Sequence, residues 1–196
     1  MKRILSSILL LLLLTTTSAI AQTTYDLGTG SELSVEGTSN VRDWDGVANE
    51  LSGTLLLSEP VSSLEELQAT DLQSLTLEIP VEGLENNNGK LTSNMHKYLK
   101  GNDHPVISFK LTGVDSLVVN GSTAELTSRG EVTVAGVTLP VMISNEMSLE
   151  SEGTLLVNGV QDLKMTDFGI DPPTAMFGAI RAVDDVQIHY TLLFQL

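Results

Sequence analysis

The last eleven residues constrain the fold more than any other stretch. Val186, Ile188, Tyr190, Leu192, Phe194 and Leu196 alternate with Gln187, His189, Thr191, Leu193 and Gln195. A period of two is that of a β-strand, whose successive side chains point to opposite faces, so one face is apolar and the other mostly wet. At roughly 3.4 Å per residue the segment spans ~37 Å, the length of a barrel stave. Similar alternation occurs in Leu75, Leu77, Ile79 and Val81, and in Ile107, Phe109 and Leu111. Further on, Ala124, Leu126, Val132 and Val134 share one face while Glu125, Thr127, Arg129, Glu131 and Thr133 share the other. Asn120-Gly121 lies between two such runs and suits the positive φ angles of a tight hairpin. Ala135-Gly136 and Asn158-Gly159 read as further turns, and Gly130 as a bend or bulge inside a strand. Many short strands joined by short turns, without recurring helical crossovers, predict an all-β antiparallel sandwich or barrel. Two short helices are expected. One covers residues 63–67, with Ser62 or Ser63 as N-cap and Glu65 and Glu66 in its first turn; the other covers residues 94–100, closed by Gly101. Asn86-Asn87-Asn88-Gly89 reads as a polar loop.

The N-terminus has a different pattern. Lys2 and Arg3 precede an apolar stretch at residues 4–14, broken only by Ser6 and Ser7, and Ala19-Ile20-Ala21 offers the small-x-small site of a signal peptidase. The apolar run is shorter than the ~20 residues of a spanning helix. Residues 1–21 are therefore expected to be a cleaved signal peptide, and residues 22–196 one periplasmic or secreted domain with no transmembrane segment after cleavage. Loss of Lys2 and Arg3 would take the formal charge from −15 to −17. A surface so acidic repels phosphate backbones, so nucleic acid is not an expected partner. With no cysteine in the chain, neither a disulfide nor a lipidated cysteine contributes, and a hydrophobic core must carry the stability.

Few residues suggest chemistry. The three histidines, His96, His104 and His189, stand in no nucleophile elbow and in no i, i+4 metal-binding pair. His104 precedes Pro105 at a strand start, and His189 falls on the polar face of the last strand. Asp43 and Asp45 flank Trp44 without the rest of a calcium loop. No glycine-rich phosphate loop is present, and no enzyme activity, cofactor or metal is expected. A barrel interior remains. From periodicity alone, side chains filling it are favoured over a ligand cavity.

Several segments together resemble the YceI-like family, in its exported Bacteroidetes-type variant. Tyr25-Asp26-Leu27 followed by the stretch from Ser31 to Ser39 is similar to the family's opening strand, and Gly37-Thr38-Ser39-Asn40-Val41-Arg42-Asp43-Trp44 to its exported form. Met95-His96-Lys97-Tyr98-Leu99-Lys100 and His104-Pro105-Val106-Ile107-Ser108-Phe109 resemble its short helix and following strand. The stretch from Gly130 to Val141 resembles its Gly-Val-Thr-x-Pro-Val hairpin, and Met165-Thr166-Asp167-Phe168-Gly169-Ile170 a segment near its end.

The resemblance implies a single antiparallel eight-stranded, lipocalin-like barrel with one or two short helices and an elongated apolar tunnel. It reverses the preference for a filled interior, because family members hold polyisoprenoids, isoprenoid quinones or fatty amides. Where many relatives carry Arg before Ser/Asp-Asp-Phe-Gly, this chain has Met165, with Lys164 one position earlier. That departure favours a neutral head, such as a quinone or amide, over an anionic pyrophosphate. The expected tunnel lining is Phe109, Met142, Met165, Phe168, Ile188, Tyr190 and Phe194, with Trp44, His96 and Tyr98 at the mouth. The function implied is non-enzymatic binding of an apolar lipid. An envelope-stress or accessory module acting through the outer surface is the alternative, and a homodimer is left open.

Overall fold

A computed structural model describes residues 22–151 and 153–196. The expected signal peptide, residues 1–21, lies outside the described residues. Strands β1 (Thr23–Leu27), β2 (Glu32–Ser39), β3 (Trp44–Ala48), β4 (Ser52–Leu57), β5 (Leu72–Pro80) and β6 (Leu84–Glu85) precede helix α1 (Gly89–Tyr98). Strands β7 (Val106–Asn120), β8 (Thr123–Val134), β9 (Val137–Ser151), β10 (Thr154–Lys164), β11 (Thr174–Ala175) and β12 (Ile180–Gln195) follow it. Antiparallel pairing runs β1, β4, β5, β7, β8, β9, β10, β12, and β1 pairs with β12 through Asp26 opposite Gln195 and Leu27 opposite Phe194. That last pairing closes an eight-stranded barrel, as expected.

The wall extends beyond this ring. β2 pairs with β12 between Ala182 and Thr191 and with β3, which in turn pairs with β6. Because β1 leads into β2, β3 into β4 and β5 into β6, each couple forms one long stave interrupted midway. The interruptions are bridged by backbone hydrogen bonds: Gly28 N–H donates to Leu193 O at 2.7 Å and Asn49 N–H to Gly83 O at 2.8 Å. Long staves thus form from short apolar runs, with backbone hydrogen bonds carried across these breaks.

Alternation sets burial. In β8, Ala124, Leu126, Ser128, Gly130 and Val134 are buried while Glu125, Arg129 and Glu131 are exposed. The base of the barrel is solid, packed with Tyr25, Leu55, Leu57, Leu155, Leu192 and Phe194. The connection from β4 to β5 folds under it and contributes Val61, Leu64 and Leu67, and the Tyr25 hydroxyl accepts a 2.8 Å hydrogen bond from Val61 N–H. A second cluster at the opposite end joins Val134, Ala135, Phe168 and Ile170 to Tyr98, Leu99 and Met165.

Three local expectations need correction. The first helix is a single 3-10 turn at Leu64–Glu66, although Ser63 caps it as expected by accepting from Glu65 N–H. Helix α1 begins at Gly89 rather than at residue 94, because the Asn88 side chain accepts from the N–H groups of Lys90 and Leu91 and turns the asparagine-rich stretch into a helix start. At its other end Lys100 takes the left-handed conformation, φ 56°, and Gly101 N–H closes onto His96 O at 2.9 Å. Asn158-Gly159 is not a turn but lies within β10, with Gly159 opposite Asn145 on one side and Tyr190 on the other. The other turns are found: Gly121 has φ 66° after Asn120, and Ala135 and Gly136 have φ 51° and 84° between β8 and β9.

Candidate functional site

The solid base and the upper cluster leave an apolar cavity of about 230 Å³ inside the barrel. Its lower lining includes Leu72, Met147, Val157, Leu192 and Phe194; higher up come Leu77, Phe109, Leu111, Leu126, Ile143, Ile188 and Tyr190. Trp44 from β3, Met95, Tyr98 and Leu99 from α1, and Met165, Phe168, Ile170 and Pro173 from the segment after β10 complete it. The exposed Lys164 also lines it, so this upper end is where the channel meets water. The volume lies below the ~300–1,000 Å³ typical of small-molecule pockets, which suits one slender chain better than a bulky ring system.

Of the residues named from sequence, Trp44, Tyr98, Phe109, Met165, Phe168, Ile188, Tyr190 and Phe194 line the channel. Met142 does not: it pairs with the exposed Arg129 and is 63% exposed on the outer face of β9. Its neighbours Val141 and Ile143 hold the inward parity, and a one-residue step along a strand reverses the face. His96 also points elsewhere, its Nε2 lying 2.8 Å from Leu84 O, where it ties α1 to β6. Met95 one position earlier takes the place at the mouth. The signal for it was the i, i+4 spacing of Met95 and Leu99 on one helical face.

Strand glycines shape the lining. Gly37 lies opposite Trp44, and a Cβ there would sit 2.2 Å from the indole, so the ring lies flat over bare backbone while its Nε1–H donates to Thr38 O at 3.2 Å. Gly130 gives the same room to Phe109, where a Cβ would meet the ring at 2.1 Å. Gly159 does so for Tyr190, whose hydroxyl crosses the glycine to donate to Asn145 Oδ1. Burial pushes the Tyr190 hydroxyl up to about pKa 12, so it stays protonated and remains a donor.

Charge is confined to the mouth. Lys164 is the one charged side chain lining the channel among the described residues, and Asp185 accepts from its Nζ at 2.8 Å. That hydrogen bond and the carboxylate's charge hold the ammonium above the usual lysine range. Next to it, the Thr166 hydroxyl and N–H donate to Asp184 at 2.7 and 2.8 Å and hold that carboxyl below the usual range. These bonds fix the turn that presents Met165 and Phe168. His104 lies against Gly136, and His189 Nε2 is 3.6 Å from Glu36, on the outer face of β12. No group of three or more metal-ligating side chains occurs among the described residues. No helix there is long and apolar enough to cross a membrane.

The sequence profile of the YceI-like domain matches residues 24–194. The chain belongs to the YceI-like family. Among solved structures it is similar to a polyisoprenoid-binding domain from Saccharophagus degradans implicated in plant cell wall breakdown, at 15% identity and TM-score 0.66, covering 87% of this chain and 97% of that one. BcnA of Burkholderia cenocepacia matches at 17% identity and TM-score 0.60, over 83% of this chain and 95% of that one. The YceI protein of Campylobacter jejuni matches at 14% identity and TM-score 0.59, over 77% and 84%. At these identities the neighbours establish the shared YceI-like barrel. No curated protein matches the chain.

Proposed function

We propose that this YceI-like protein is an exported, non-enzymatic carrier that holds one long apolar chain, an isoprenoid, isoprenoid quinone or fatty amide, inside its barrel. The observation that carries the reading is the channel itself: lined almost wholly by apolar side chains and closed at its base. Each methylene moved from water into it gains about 0.8 kcal/mol, so a chain of ten or so can bind tightly without any ion pair. The lone lysine at the mouth is already paired with Asp185, which favours a neutral head over a pyrophosphate. Family membership supports a binding role, and the outward or structurally engaged histidines offer no base beside the channel. Export to the periplasm or beyond rests on the signal-like residues 1–21.

The test is organic extraction of protein purified from its own cells, followed by mass spectrometry. A long-chain neutral lipid at near-equimolar amount is expected. Repeated recovery of protein without lipid, and no uptake of added polyisoprenol or quinone, would refute the carrier.

A second reading, a module acting through its outer surface, has one observation behind it. After β11 the chain projects Met176 and Phe177 into water at 71% and 113% exposure.

A further inference from the structure

The channel wall is not uniformly apolar. Four polar side chains with inward parity lie on adjoining strands: Ser128 on β8, Asn145 on β9, Gln161 on β10 and Tyr190 on β12. Register brings them together. Asn145 and Tyr190 flank Gly159, Ser128 pairs with Ile143 two residues before Asn145, and Gln161 pairs with Ile188 two residues before Tyr190. The facing wall, from β4, β5 and β7, presents Leu55, Leu75, Leu77, Ile79, Phe109 and Leu111. One side of the channel therefore carries a polar ridge midway between base and mouth; on the other the one polar lining residue, Ser108 of β7, has the outward register, opposite Glu78 and Thr133.

The hydrogen bonding of the ridge is incomplete. Gln161 Nε2 donates to Asp162 O at 3.0 Å, so its nitrogen is engaged. The Asn145 oxygen is engaged by the Tyr190 hydroxyl, which the raised pKa keeps protonated. The Asn145 amide nitrogen makes no hydrogen bond among the described residues, although its side chain lines the channel. With the Tyr190 hydroxyl donating to Oδ1, the end of the amide left over is a double N–H donor. Ser128, 2% exposed and the one fully buried polar residue described, stands on the neighbouring strand. A donor in an apolar enclosure is costly unless something accepts from it. No cationic side chain lies beside it to select an anion, Lys164 being at the mouth and paired.

We propose that the Asn145 amide nitrogen, with Ser128 beside it, is a docking point for a neutral carbonyl-type oxygen, so the preferred ligand is a long-chain lipid carrying a carbonyl partway into the channel rather than a plain hydrocarbon. This rests on the channel being a lipid site. It adds a polarity and a depth to that reading: the acceptor sits at the level of Gly159, below the mouth, and chain extends from it toward the base, the opening, or both.

The test compares two probes on delipidated protein, a long-chain methyl ketone and the alkene of equal carbon number. A single neutral hydrogen bond in a dry site corresponds to about tenfold in affinity. The ketone-to-alkene affinity ratio is expected to be about tenfold higher in the native protein than in Asn145→Leu. Ser128→Ala is expected to lower that ratio by less. Should Asn145→Leu fail to fold, a carbonyl-labelled ketone bound to native protein reports directly. Its stretching band is expected at lower frequency than in hexane. The same affinity ratio in native protein and Asn145→Leu, or a band unshifted from hexane, would overturn the polar ridge as a site while leaving the lipid carrier standing. Failure of both probes to bind would overturn both.

Discussion

Gly159→Ala tests whether the barrel interior is organised as described. A Cβ at residue 159 would lie 2.2 Å from Tyr190 Oη, 2.4 Å from its ring carbon Cζ and 2.7 Å from Asn145 Oδ1. None of these contacts can be kept. The ring cannot retreat freely, since Tyr190 packs against both the basal core and the cluster of Leu33, Ile79 and Leu84. Overpacking of this kind costs about 1–3 kcal/mol. Separating Tyr190 from Asn145 leaves two polar groups unpaired on an apolar channel, a further ~1–3 kcal/mol. Against this, alanine recovers only about 0.5–1 kcal/mol of strand propensity over glycine. The net expectation is a loss of about 1–5 kcal/mol, or roughly 2–20 °C in melting temperature for a domain of this size. The assay is thermal or urea unfolding of Gly159→Ala, Tyr190→Leu and the double variant. With the phenol gone the added methyl meets only Asn145 Oδ1, at 2.7 Å, so Gly159→Ala is expected to cost less in the Tyr190→Leu background than in the native protein. A neutral Gly159→Ala, or an equal cost in both backgrounds, would refute the claim that Tyr190 lies across the glycine.

Tyr190 also sets a pH dependence. Its hydroxyl ionises near 10 when unfolded and near 12 when folded, so the folded state holds the proton more tightly. This contribution is whole below pH 10 and is lost as pH rises toward 12, by about 2–3 kcal/mol. Native protein should therefore lose stability more steeply than Tyr190→Phe between pH 10 and 12, measured by denaturant unfolding. Leu192→Ala in the base should cost about 2–5 kcal/mol, whereas Met142→Ala on the outer face should stay within about 0.5 kcal/mol in the same assay. Phe177 holds φ 56° with its side chain in water, so Phe177→Gly should stabilise by about 1 kcal/mol, seen as a higher melting temperature.

Alternation made the staves legible. The inward residues of β12, Val186 through Phe194, and those of β8 were readable because antiparallel strands with one wet face keep strict parity. Their number and closure came through resemblance, since nothing in periodicity separates a sandwich from a barrel. Met142, expected in the lining, is the instructive failure: the one-residue step from Ile143 places it outside. Asn158-Gly159 read as a turn for a related reason: the dipeptide has turn chemistry, and the cause of the glycine is an aromatic ring on a strand thirty-one residues later. Helix α1 started early because Asn88 acts through its side-chain oxygen, a cap that loop composition hides. Asn145 was passed over since a lone asparagine on a strand says nothing until register sets it beside Gly159 and Tyr190.

The central claim is that an apolar chain lies inside the barrel rather than against its outer face. Crystals grown with a long-chain alcohol brominated at its far end test this by anomalous scattering, which locates the bromine without reference to head-group chemistry. One bromine peak is predicted inside the channel, near Met147 and Leu192. Peaks confined to the outer surface around Phe177, with side chains filling the interior, would contradict the account.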